Sequence, residues 1–519
     1  MTKPQATTWR SNFSIPRADL TLMVESQLGQ YGLQDKTLGR KIIKRMLWVI
    51  QNGDNTVAYF DKNELREICE QTVKVILAKP GHIDKIHNQT IMYNQAHFKL
   101  VEQVRRLDLS ALPEARLLKL HSQLWQAQYL SHCWSQPTTW FVDSDGEDYS
   151  RYLYNLVETK IKPSMGLNTA TVFSVLTTPK RKSMAQEEEE ESLKLVAMIR
   201  RNRKVKRWFI SRQTGELVKG FSSLPPRLRQ KLYRHYQKWC WTPYTYVGPA
   251  YGLDYYLEVW RGLLHEKIDP QQELREQAAK AKRVQQERKR LIKKLYLTPY
   301  QVHLFDIAAD IVWLKGFRKD CYFHGFFVLD MVLGELARRA GITLMQAKYL
   351  LPKELPLLSR GQVKQLARLA DERRKFSVYY FNAGKQEIIS GAKAKAFLKK
   401  QTIEKTKAVK ADELKGMCAC PGTATGTVRI VNLPEDMPKM KAGDIMIAHA
   451  TYPSLVPAMK RAAAIITEEG GITCHAAIVS RELQTPCIVG VKGLLQVLKD
   501  GNKVEVDATN GTIKVIKAK

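Results

Sequence analysis

His475 stands in the run Thr467-Glu-Glu-Gly470-Gly471-Ile-Thr473-Cys474-His475-Ala476-Ala477. An imidazole is a competent nucleophile near neutral pH when one ring nitrogen is unprotonated. At the point where a glycine-rich turn becomes a helix, it lies beside unpaired backbone N–H groups and the positive end of the helix dipole. Together these favour an anion by roughly 0.3–1 kcal/mol at an exposed site. The chemistry this suits is taking up and giving up a phosphoryl group. The plain alternative is a histidine that caps or packs a helix start; the double glycine and the small Ala476-Ala477 pair weigh against it.

The elements that must hold His475 are legible on either side. Ala463 to Thr467 is a short apolar run of β-formers and reads as a buried strand. Gly470 and Gly471 permit a sharp turn and close approach of backbone to a ligand. Thr473 is a favoured N-cap, and Ala477, Ile478 and Leu483 mark the apolar face of a helix from His475. Pro486 stops that helix, and Cys487 to Val489 begins another buried strand. Cys474 is either a reactive thiol at a helix start or a small neighbour that fills space.

Residues of about 417–519 resemble the mobile, swivelling phosphohistidine domain of the phosphoenolpyruvate-utilising enzymes, such as phosphoenolpyruvate synthase and pyruvate phosphate dikinase. The motif Gly470 to Ala477 carries the resemblance, continued by Ser480-Arg481-Glu482-Leu483, Pro486 and Gly490. Upstream, Pro421-Gly422 to Ile430 resembles the start of that domain. Downstream, Val506-Asp507 to Asn510-Gly511 resembles its closing hairpin, where Asn-Gly is itself a turn signal. The resemblance implies that His475 is the phosphoryl carrier, with Gly470, Gly471, Thr473 and Cys474 forming the phosphate loop and helix start. It also implies that Thr473 is a control point, beside its plain reading as a cap. Ser454 departs from the pattern, because many relatives carry an acidic residue there.

The composition excludes several classes. Hydrophobic content of 44% with 26% charged residues is that of a globular chain, and no apolar run is long enough for a membrane span. The polar start lacks a signal region, and the eight scattered cysteines form neither a disulfide framework nor a metal-ligand pattern. A reducing cytoplasm is the expected location, with no metal site within the chain. The 83 Lys and Arg against 51 Asp and Glu give a net charge of +32, concentrated before residue 416. Such a field attracts polyanions, nucleic acid included; the bland alternative is a set of solvated helix faces.

Residues 1–390 read as mostly helical, in two subdomains of about 1–245 and 246–390. Helical spacing recurs at about 18–50, 62–78, 93–107, 112–132, 147–160, 190–202, 225–240, 254–265, 270–296, 298–315, 321–340, 343–350 and 360–374. The stretch Gln271 to Lys294 is polar nearly all round and predicts an exposed helical arm. Glu187 to Glu191 predicts the acidic start of a helix. Ser377 to Ile389 predicts a hairpin, 391–415 a lysine-rich hinge, and 416–519 the phosphohistidine domain. The expected fold class is therefore multidomain, α plus α/β: a large helical region followed by a swivelling β/β/α domain.

Two places in the helical part could receive a substrate. One is the aromatic stretch with Trp239, Trp241, Tyr244 and Tyr246 around Pro243 and Gly248; the plain alternative is helix packing. The other is Arg318, Lys319, Asp320 and His324, which could bind a phosphate-bearing acceptor or form a buried ion pair. In layout this part is similar to rifampicin phosphotransferase, which keeps its acceptor in a helical domain. Residues 1–410 show no Gly-x-x-x-x-Gly-Lys-Ser/Thr loop and no strand-rich ATP-grasp segment, and no pyruvate-binding barrel is evident. The expectation is a phosphotransferase component whose donor is ATP on a separate ATP-grasp protein, or phosphoenolpyruvate, with Mg²⁺ at the transfer sites. The alternative is a non-catalytic basic protein that keeps the phosphohistidine fold and binds nucleic acid or an acidic partner.

Overall fold

A computed structural model describes residues 7–16, 33–53, 55–139, 141–143, 148–244, 248–265, 269–404, 413–432, 434–451, 455–468, 470–471 and 474–516. The chain divides into two compact units that interleave along the sequence. The first is Met1–Asn155 with Cys321–Lys410, the second Leu156–Asp320 with Ala411–Lys519.

The first unit is built on a six-stranded sheet in the order β5-β4-β2-β3-β1-β6. Its strands are β1 (Thr8–Pro16), β2 (Arg45–Gln51), β3 (Asn55–Asp61), β4 (Phe376–Asn382), β5 (Lys385–Ser390) and β6 (Thr402–Ile403). The hairpin expected at Ser377 to Ile389 is β4 and β5. The helix expected over 18–50 is a correction: a short helix spans 33–38, Arg45–Gln51 is the strand β2, and 17–32 lie outside the described residues. The cause is burial on both faces. Met46 to Ile50 are all buried, so the run carries no alternation, and periodicity alone cannot tell a doubly covered strand from a buried helix. One face meets Trp9, Val378 and Ala394 through Leu47 and Val49.

Helices Lys62–Ala78, Pro80–Arg105 and Glu114–Thr139 follow β3 in the chain; the first matches its expected span, the second begins well before the expected residue 93, and the third runs past the expected residue 132. The two helices expected at 298–315 and 321–340 are one, Pro299–Ala340. A lone glycine, Gly316, does not break it, because the apolar positions around it stay buried. Residues 391–415 contain the helix Gly391–Lys399 and the strands β6 and β7 (Glu413–Lys415); 405–412 lie outside the described residues.

The second unit joins helices to an eight-stranded sheet in the order β7-β14-β13-β9-β10-β11-β12-β8. Here β8 is Met417–Cys420, β9 Thr423–Ile430, β10 Ile445–Ala448, β11 Ala464–Thr467, β12 Cys487–Val489, β13 Lys503–Asp507 and β14 Thr512–Ile516. The strands β9, β10, β11 and β12 run parallel, and β10, β11 and β12 are buried along their whole length. The expected closing hairpin pairs β13 with β14 through Asn510-Gly511. A Cβ on Gly511 would come within 2.3 Å of the Gly416 carbonyl oxygen, so only glycine fits that turn.

The helix Pro270–Lys294 is long and keeps most of its residues exposed or half-buried, as its composition suggests, and is anchored through Pro270, Arg288 and Leu291. Arg288 is buried, where its Nε donates to the Leu176 carbonyl at 3.0 Å and its guanidinium meets Asp306 at 3.0 Å. Long cationic stems can thus cover an apolar face that a count of polar residues hides. Among the described residues no helix is long and apolar enough to cross a membrane.

Candidate functional site

The carrier segment leaves the carboxyl end of β11 and re-enters as the helix His475–Leu483. Gly470 holds φ at +108°, and a Cβ there would lie 2.8 Å from Cys474 Cβ and Sγ. The turn closes where Cys474 N–H donates to the Gly471 carbonyl at 2.8 Å, and the first helical bond runs from Ile478 N–H to the Cys474 carbonyl at 3.0 Å. The cap is therefore Cys474, one residue later than expected, and its side chain makes no capping hydrogen bond. Thr473, with its proposed control role, lies outside the described residues, as does the Ser454 loop position. His475 itself is the first helical residue.

The helix Pro299–Ala340 brings charge to this turn. Lys315, Arg318 and Lys319 are spaced three and four apart, on one helical face, and Lys319 interacts electrostatically with Cys474. Burial pushes the Lys319 ammonium down to about 8; Arg318 and Lys315 add to that shift, while Cys474 and Asp320 oppose it. Burial also raises the Asp320 carboxyl to about 7, with Lys319 opposing and Glu187 contributing. Both side chains keep part of their surface open although protein atoms crowd them. A fourth cation comes from the helix His475–Leu483, where the Arg481 Nε donates to the Ala419 carbonyl at 2.7 Å. Four thiols, those of Cys474, Cys487, Cys420 and Cys418, act on that guanidinium.

The acidic run lies on the helix Met184–Arg201, which a Ser183/Gln186 capping box begins. Four of its five acids meet basic side chains. Glu188 meets His235 at 3.0 Å, Glu189 meets Lys460 at 3.0 Å, Glu190 meets Lys182 and Lys194, and Glu191 meets Lys238. The Lys460–Glu189 pair ties the carrier domain to the helices.

The other predicted acceptor residues are arranged differently. Trp239 and Trp241 are 2% and 1% exposed and Tyr244 is buried, so they leave no face for a substrate. Trp239 Nε1 donates to Glu191 Oε2 on the acidic helix at 2.8 Å, and Trp241 Nε1 to the carbonyl of Lys238, on the helix Pro226–Trp239, at 2.7 Å. Tyr246 lies outside the described residues. His324 is fully buried in the first unit, its Nε2 3.1 Å from Glu102 Oε1, the ion-pair alternative in its bland form. Sequence reasoning missed His449, whose Nδ1 is 3.1 Å from Glu468 Oε2. The signal available was a histidine directly after the short apolar run Ile445–Ala448, which the sequence reading did not assign as a strand.

The first unit has a cavity of its own, of about 950 Å³. It follows the helix Lys62–Ala78 and is lined by Arg10, Lys62, Arg66, Lys74 and Arg151, with Glu70 and Asp148 the acids. Among the described residues no group of three or more His, Cys, Asp or Glu side chains converges as a metal site.

Comparison with known proteins matches the C-terminal part of the chain. Residues 440–511 match the family described as PEP-utilising enzyme, mobile domain. The chain is 53% identical over 100 residues to a probable phosphoenolpyruvate synthase of Archaeoglobus fulgidus, covering 19% of this chain and 13% of that protein. It is 45% identical over 132 residues to the phosphoenolpyruvate synthase of Pyrococcus furiosus, covering 25% and 16%. With the probable synthase of Pyrococcus abyssi it shares 38% identity over 184 residues, covering 33% and 22%. The chain therefore spans well under a quarter of the length of these relatives.

Proposed function

We propose that the chain is a phosphotransferase component that carries a phosphoryl group on His475 between a donor and an acceptor in the helical region. The donor in this reading is ATP on a separate ATP-grasp protein, or phosphoenolpyruvate. The observation that carries it is the electrostatic interaction of Lys319, on a helix bearing Lys315 and Arg318 at the same face, with Cys474, the residue that caps the His475 helix. Phosphoryl transfer depends on positioning and on neutralising charge over the phosphoryl oxygens. Lys319, Arg318 and Lys315 supply cations from one side, and Arg481 from the other. Asp320 and Glu187 are two carboxylates of the hard-oxygen kind that suits Mg²⁺, which would add charge neutralisation there. Transfer forms a P–O bond to the acceptor and breaks the P–N bond, so that His475 leaves as neutral imidazole.

The test is incubation with labelled ATP or phosphoenolpyruvate, with and without ATP-grasp proteins. The expected result is an acid-labile label that His475→Ala abolishes. Absence of any such label under every condition refutes the reading.

A second reading is favoured by the basic cavity in the first unit: a non-catalytic protein that binds nucleic acid or an acidic partner. It expects tight polyanion binding that falls steeply with salt, and normal function in His475→Ala.

A further inference from the structure

A large share of the excess positive charge lies on one helical segment of the second unit. Residues 201–238 carry twelve Lys and Arg against a single acid, Glu216, in a chain of net charge +32. Among the described residues only Lys238 of these twelve meets a carboxylate, that of Glu191. On the helix Pro270–Lys294, by contrast, Arg275, Arg288 and Arg290 each meet an acid.

The segment folds into a continuous surface. Val205 and Phe209 bury the apolar side of the helix Arg203–Ile210. Helical spacing sets Lys204, Arg207 and Trp208 together on another side. The Trp208 ring packs on Gly220, where a Cβ would lie 3.0 Å from it, and the Arg212 guanidinium lies 5.5 Å from the ring centroid. Directly after Gly220, a cavity of about 550 Å³ is lined by Phe221, Pro226, Arg227, Arg229, Gln230 and Tyr233. Arg229 Nη1 donates to the Ser222 carbonyl at 2.5 Å and ties the turn at Phe221–Ser223 to the helix Pro226–Trp239. On that helix Tyr233 is 44% exposed, and Arg227, Gln230 and Arg234 share one face.

This chemistry fits a strand of phosphates with unstacked bases. Cations without carboxylate partners neutralise phosphates, and aromatic and guanidinium planes stack on bases. A duplex keeps its bases stacked inside and would leave the cavity unfilled. A membrane surface requires an apolar helix face to bury, and Val205 and Phe209 already lie inside the protein. We propose that the helices Arg203–Ile210 and Pro226–Trp239 bind single-stranded nucleic acid. A base sits in the cavity at Tyr233, and phosphates follow Lys204, Arg207, Arg227 and Arg234. The surface uses none of the residues of the carrier reading and none of the first unit's cavity.

The experiment is fluorescence anisotropy of the full chain with labelled oligouridine and oligothymidine over a salt series. A duplex, polyglutamate and vesicles of anionic lipid are the competing probes. Binding of either oligonucleotide supports the proposal, and the tighter of the two names the sugar. Affinity should fall about a hundredfold between about 50 and about 200 mM salt, as about five phosphate contacts require. Arg227→Glu with Arg234→Glu should weaken binding about a hundredfold and flatten the salt slope. Tyr233→Ala should weaken it about tenfold, while Tyr233→Phe keeps the wild-type value. Melting temperature is the folding control, and Arg227→Gln with Arg234→Gln decides if the reversal does not fold. Lys74→Ala with Arg151→Ala, in the first unit's cavity, should leave binding unchanged. If binding falls there and not in the Arg227 and Arg234 variants, the first unit is the polyanion site and the proposal fails. Preference for polyglutamate, vesicles or duplex over the single strand also overturns it, as does no binding of either oligonucleotide. All of these outcomes leave the carrier reading intact.

Discussion

Lys460 Nζ lies 3.0 Å from Glu189 Oε1, an ion pair between the carrier domain and the acidic helix Met184–Arg201. Both side chains are nearly half exposed, so the pair itself contributes only about 0.2–1 kcal/mol. Reversal is a stronger perturbation, because Lys460→Glu puts a carboxylate against the whole run Glu187 to Glu191. The expected result is a larger radius of gyration by small-angle scattering and little change in melting temperature. The double reversal Lys460→Glu with Glu189→Lys should return the wild-type radius.

Lys319→Ala and Arg318→Ala are expected to slow transfer from phosphorylated His475 by about 10²-fold, the usual loss when a positioned charge donor is removed. Formation of the phosphohistidine at the donor should be unchanged. Single-turnover kinetics from pre-phosphorylated protein separate the two steps.

The pH dependence follows from the two shifted groups. Lys319 is a cation only below about 8, so transfer should fall as pH rises through that value. Lys319→Arg keeps its charge and should extend the alkaline limb. Asp320 is raised from 3.8 to about 7, so its contribution to stability is present below 3.8 and is lost as pH rises through about 7. Asp320→Asn should therefore raise the melting temperature more at pH 8 than at pH 5, as thermal scans at both values would show.

Gly470→Ala forces a side chain into a φ of +108° and against Cys474. Strain of this kind costs about 1–3 kcal/mol, confined to the carrier turn. The variant should stay folded by circular dichroism and lose phosphohistidine formation.

In the first unit, Lys348 and Asp330 pair while 2% and 6% exposed as side chains. Lys348→Met leaves a buried carboxylate alone and should destabilise by about 3–5 kcal/mol in denaturant titration. Adding Asp330→Leu should recover most of that loss.

Much of this arrangement was legible in the residue order. The turn glycines, the helix from His475, the strands at Ala464–Thr467 and Cys487–Val489, and the hairpin at Asn510-Gly511 follow from rules that act within about ten residues. The helix start at Thr298-Pro299 was equally clear, and there the Thr298 hydroxyl accepts from Gln301 N–H at 3.2 Å. The strand Arg45–Gln51 was not, because burial on both faces removes the alternation that marks a strand. The cap at Cys474 was misread as Thr473 because propensity ranks residue types, whereas the turn at Gly470 sets where the helix begins.

The sequence by itself determined a histidine where a glycine turn becomes a helix in a β/β/α setting, and a strongly basic remainder. Tertiary structure decided which charges act on the turn before that histidine. Lys319 and Cys474, or Glu189 and Lys460, are far apart in the chain, and helical spacing says which residues share a face but not which faces meet. That choice depends on how whole surfaces pack, and so does the burial that keeps the Lys319 ammonium near 8 and turns Trp239 and Trp241 from candidate pocket into core.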